Sequence, residues 1–79
     1  MSDEIINEIS IYNESAVILD GFDAAIIGIY QRKVLVYSES VIIEILCDIM
    51  SRTDAIDYFY FNIKPDGAEY WPLFIKTEL

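Results

Sequence analysis

Residues 33–50 read KVLVYSESVIIEILCDIM, and the hydrophobic period changes part-way along them. Lys33–Tyr37, KVLVY, is apolar and β-branched, as a strand favours. After Ser40 the apolar residues Ile42, Ile45, Leu46 and Ile49 recur at i, i+3, i+4 and i+7. That spacing is one face of a helix, with Ser40 as its N-cap and an end near Met50. A strand therefore hands over to a helix within this stretch.

Working upstream, Ala16–Leu19 is a short apolar strand. Asp20-Gly21 is a turn signal, because glycine tolerates positive φ and aspartate can bond its own backbone. Ala24–Tyr30, AAIIGIY, reads as a nearly continuous apolar strand, and Gly28 inside it suggests a bulge or a close backbone approach. Gln31-Arg32 turns the chain into KVLVY. These connections are too short for a crossover helix, so the three strands form an antiparallel meander. Residues 2–12 are ambiguous. Ile5, Ile6 and Ile9 sit at helical spacing, whereas Ile9 and Ile11 alternate like a strand. Ser2 is an available helix cap with acids in the turn after it.

Downstream, Ser51-Arg52-Thr53-Asp54 has the capping-box pattern with Asp in place of Glu. It opens a second helix near Arg52 that runs to about Asn62, with Ala55, Ile56, Phe59 and Ile63 as its buried stripe. Pro65-Asp66-Gly67 is a turn. Tyr70–Ile75 is a last strand, which Pro72 confines to an edge or makes irregular. The expected fold class is α+β: an antiparallel β-meander (three strands) followed by two helices packed on one face and a final edge strand. Residues 1–14 are an N-terminal extension, helix or strand, and residues 15–79 form a single α+β domain. Ala24–Tyr30 is apolar on both sides, and two helices cover only one. A second copy or the N-terminal element must cover the other, so a homodimer is expected.

Composition narrows the function classes. The chain has 79 residues, 54% of them hydrophobic, enough to fold and too few for more than one domain. No run of about 18 apolar residues suggests a membrane span. The acidic start Met1-Ser2-Asp3-Glu4 is unlike a signal peptide, and a single cysteine, Cys47, forms no internal disulfide. A cytoplasmic location is expected. Fourteen acids against five bases give a net charge of −9, and no base precedes Arg32. Direct nucleic-acid binding is therefore not expected, whereas attraction to a basic partner surface is. The plainer reading of the acidity is that it keeps a hydrophobic small protein soluble.

No catalytic constellation is legible. Histidine is absent, which removes the commonest general base and metal ligand. Cys47 lies among Ile and Leu with no basic neighbour and reads as a structural thiol. The pairs Asp20/Asp23 and Asp54/Asp57 read as turn and cap chemistry rather than as metal ligands. The three glycines make no phosphate cradle. No enzyme, cofactor or metal is expected. The aromatic run Tyr58-Phe59-Tyr60-Phe61 lies among acids rather than bases, which disfavours base stacking. Phe59 is a core residue, while Tyr58 and Phe61 lie about 60° apart on a helix and form a second, partner-facing stripe.

Two segments, Asp20-Gly21-Phe22-Asp23-Ala24-Ala25-Ile26-Ile27-Gly28 and Ala55-Ile56-Asp57-Tyr58-Phe59-Tyr60-Phe61-Asn62-Ile63, resemble a family of small uncharacterised proteins of tailed bacteriophages. Gly67–Phe74 is a looser match. The resemblance spans most of residues 16–75, without the N-terminal 14 and with a different loop length after Asn62. It implies a phage origin and carries over no catalytic residues. The expected function is that of a phage-encoded acidic binding protein. It would inhibit a host defence or nucleic-acid-binding protein, of anti-CRISPR or anti-restriction type, by presenting carboxylates where DNA phosphates would sit. The candidate partner-binding residues are Glu4, Glu8, Glu14, Asp20, Asp23, Asp48, Asp54 and Asp57, with Tyr58 and Phe61. One alternative is an oligomeric sponge for a signalling nucleotide, held by Arg32, Lys33, Arg52 or Lys64. Another is a small phage assembly or structural protein.

Overall fold

The computed structural model describes residues 2–76. Met1, residues 77–79 and the side chain of Ser2, with its expected cap, lie outside the described residues. Helix α1 spans Ser2–Tyr12, strand β1 Ile26–Tyr30, strand β2 Val34–Ser38, helix α2 Glu39–Leu46, helix α3 Arg52–Tyr58 and strand β3 Leu73–Ile75. A 3₁₀ turn, Asp23–Ala25, precedes β1, and a π-helical turn, Phe59–Ile63, extends α3. The class is α+β.

The sheet corrects the expected meander. Its order is β1-β2-β3, with β1 and β2 antiparallel and β2 and β3 parallel. The third strand is thus the last in the chain, at an edge. The chain between β2 and β3 contains α2 and α3, the kind of helical crossover that a parallel pair needs. Ala16–Leu19 forms no strand. Its amides are satisfied singly: Val17 N–H donates to the Tyr70 carbonyl at 3.3 Å and Leu19 N–H to the Tyr37 hydroxyl at 2.9 Å. With those donors taken, no ladder is required to satisfy it.

Residues 2–12 resolve as helix, and Ile9 is fully buried in the same core as Leu35, Tyr37, Ile42, Ala55 and Phe59. β1 begins at Ile26 rather than Ala24. Its register shifts between Ile26 and Gly28, which is the bulge that Gly28 signals. The hairpin turn is made by Gln31 and Arg32 at φ of 51° and 58°, with Lys33 N–H donating to the Tyr30 carbonyl at 3.0 Å. The cap of α2 is Ser38, not Ser40: the Ser38 hydroxyl accepts from Val41 N–H at 3.3 Å. The helix also ends earlier, at Leu46. The turn that follows swings Ile49 out to 79% exposure, and Ile43 takes a place in the core instead. Ser51 caps α3 as expected, accepting from Asp54 N–H at 3.2 Å. Ala55, Phe59 and Ile63 are buried and Ile56 packs beside them. The last strand starts only after Pro72, at Leu73. Its Phe74 ring stacks edge-on against Phe59 at 5.2 Å and leans on Tyr37 at 6.0 Å.

Candidate functional site

The eight candidate carboxylates are all solvent-exposed and lie on neighbouring elements rather than in one cleft. Glu4 and Glu8 stand one turn apart on α1. Glu14, Asp20 and Asp23 follow in the connection to β1. Asp48 is in the turn after α2, and Asp54 and Asp57 are on α3. These elements adjoin: α1 packs on β1 and on the 3₁₀ turn, that turn packs on α2, and α2 packs on α3. The acids therefore decorate the helical layer and its connections, while the three strands contain no carboxylate. Among the described residues the one ion pair is Glu39–Lys64, so no base neutralises any of the eight. A surface of unpaired, hydrated carboxylates can attract a basic partner, and it has none of the buried geometry that acid–base catalysis needs.

Tyr58 and Phe61 are exposed as expected, Phe61 to 76%. Phe59, between them, is fully buried. The π turn separates Tyr58, the last residue of α3, from Phe61, so the pair does not follow a regular α-helical stripe. Cys47, beside the core at the end of α2, is half-buried and unpaired.

The charged group that the sequence did not single out is Glu39. It is 3% exposed, at the first position of α2. Its two carboxylate oxygens are separately satisfied: the Tyr60 hydroxyl donates to Oε1 at 2.8 Å and Lys64 Nζ to Oε2 at 2.7 Å. Tyr60 and Lys64 are four residues apart across the π turn. Its bond from Lys64 N–H to the Phe59 carbonyl, at 2.8 Å, spans five residues and lets both side chains reach one acid. Burial pushes the Glu39 carboxyl up, but the hydrogen bonds from Lys64 and Tyr60 and the ammonium charges of Lys64 and Lys76 outweigh it, so its pKa lies below the ordinary value. The same hydrogen bonds raise the pKa values of Lys64 and Tyr60. The Tyr37 hydroxyl is also raised, first by burial, against a lowering contribution from the Leu19 amide bond.

Of the bases considered for an anion, Lys64 is bound to Glu39 and Arg32 lies 5.0 Å above the Tyr12 ring. The four are spread over three places in the chain: Arg32 and Lys33 are at the hairpin turn, Arg52 opens α3 and Lys64 follows the π turn. No helix of the described residues is long and apolar enough to cross a membrane. No family model, curated protein or solved structure matches the chain.

Proposed function

We propose that this protein acts by binding, with its acidic helical layer as the docking surface for a basic, nucleic-acid-binding partner. The resemblance to small phage proteins implies a phage product whose partner would be a host protein, such as a defence nuclease or its nucleic-acid-binding complex. On this reading carboxylates on α1, α3 and the intervening turns occupy positions that phosphates would take, and the partner is blocked rather than modified. The observation that carries the reading is the distribution of charge. Eight exposed acids lie on the helices and turns with no base paired to any of them. The reading of acidity as a solubility device does not require the acids to be segregated from the sheet.

The nucleotide-sponge reading has less support, because Lys64 and Arg32 already have partners within the chain. The test is capture from a bacterial lysate, identification of the retained protein by mass spectrometry, and competition with that protein's own nucleic acid. Mutually exclusive binding of this protein and the nucleic acid is the expected result. Simultaneous binding of both would overturn the mimic reading, and copurification of a small nucleotide would favour the sponge.

A further inference from the structure

We infer that the open face of the sheet is a self-association surface whose occupant is a second copy of this chain. Alternation along the strands sends Leu35, Tyr37 and Phe74 into the core. It sends Val34, Val36, Leu73 and Ile75 to the opposite side, and Gly28 and Tyr30 pair across from Val36 and Val34 on that side. Ile27, the extra residue of the bulge, also stands out to solvent. None of these side chains is charged. Ile27, Tyr30, Leu73 and Ile75 are 41–48% exposed, and the two valines are partly exposed. A Cβ built on Gly28 would meet no heavy atom within 4 Å, so the middle of the face is bare.

The area and the charge both favour a like copy. At those exposures the face presents roughly 400–500 Å² of mostly apolar surface, so a symmetric pair buries about 1,000 Å², the lower bound for a specific association. Two chains of net charge −9 repel, and contact through their helical layers would set carboxylate against carboxylate. The strands carry no acid; the exposed charges that flank them directly are basic, Arg32 and Lys33 at the hairpin and Lys76 after β3, and Glu39, which follows β2, is buried and paired with Lys64. Packing the sheets face to face, about 10 Å apart, leaves both acidic helical layers on the outside. The helical layers then lie farther apart than the sheets, beyond the Debye length of about 10 Å at 0.1 M salt, so most of the carboxylate repulsion is screened. A basic partner, by contrast, is drawn to the helices. Tyr30 stands two residues from the open space at Gly28 on the same face, so a two-fold axis between them would seat each Tyr30 ring over Gly28 of the other copy.

Sedimentation of the full chain at 0.15 M salt, from about 1 to 200 μM, tests this. A dimer forming in the micromolar range is expected, as an interface of this size implies. Gly28→Val adds a β-branched side chain in open space, and Gly28 does not have positive φ, so the variant folds. It fills that space, and dimer affinity falls about tenfold or more. Val36→Lys places a charge at the centre of the face and yields a monomer. Glu4→Lys/Glu8→Lys leaves the dimer intact, which separates this surface from the proposed partner-binding one. A wild-type monomer at 200 μM overturns the inference and frees the face for a different protein. So does an undiminished dimer in a Gly28→Val chain with native circular dichroism, which decides the matter even if Val36→Lys fails to fold.

Discussion

Lys64 Nζ donates to Oε2 of Glu39 at 2.7 Å, which ties the π turn after α3 to the first residue of α2 across 25 positions of sequence. Removing the ammonium leaves a buried carboxylate with the Tyr60 hydroxyl as its remaining side-chain donor. Lys64→Met should destabilise the domain by about 2 kcal/mol, less than a wholly buried pair would lose because the ammonium is partly solvated. Tyr60→Phe keeps the ion pair and should cost about 1 kcal/mol. Urea unfolding of the two variants tests the order, and equal effects near zero would show that Glu39 is solvated rather than held.

The same group sets part of the pH dependence. The folded pKa of Glu39 lies below its unfolded one, so its contribution is fully present above the unfolded value, about 4.3, and is lost as pH falls through the folded value. Lys64 and Tyr60 shift upward, so their contributions hold below their unfolded values, about 10, and disappear as pH rises through the folded ones. The urea midpoint of Glu39→Gln should therefore fall less steeply than that of wild type below about pH 4 and above about pH 10. Parallel curves for the two proteins at both ends would contradict the assignment.

The hairpin turn carries removable strain. Gln31 and Arg32 both adopt left-handed backbone, which costs a residue with a Cβ roughly 1 kcal/mol, whereas Asn-Gly adopts the same turn readily. Gln31→Asn/Arg32→Gly should raise stability by about 1 kcal/mol, after loss of the exposed contact between Arg32 and Tyr12. A thermal melt is the check, and a lowered midpoint would mean that Arg32 on the Tyr12 ring outweighs the strain.

The regular parts of this fold were legible where local pattern and burial agree. The stripe Ala55, Ile56, Phe59 and Ile63 follows from spacing, the Ser51 cap from its capping-box pattern, and the bulge, one of two readings of Gly28, from a glycine inside an apolar strand. Ala16–Leu19 misled because a four-residue apolar run looks the same in a strand and in an extended connection. Only the tertiary partners Tyr70 and Tyr37 decide between them. Ser38 and Ser40 are equally good caps by type, and here the strand runs into the helix with no intervening loop, which selects Ser38. Glu39 gave no signal, since an acid in a first helical turn is ordinary and its partners lie 21 and 25 residues away. The candidate carboxylates were legible as exposed residues from their turn and surface positions. Their absence from the strands was legible too, since the expected strands contain none of them; which of them lie on adjoining elements depends on how the helices pack.

Charge should govern the approach of the partner more than its residence. Electrostatic complementarity acts mainly on association rate and is screened over roughly 10 Å at 0.1 M salt. The most direct measurement is the affinity of the captured partner at rising salt, for wild type and for Glu4→Lys/Glu8→Lys. The account predicts an affinity that falls with salt and falls again, about tenfold, on reversal of the two charges, with the fold unchanged because both residues are exposed on α1. An affinity flat with salt and silent to the reversal would contradict it, and would move the partner surface to Tyr58 and Phe61.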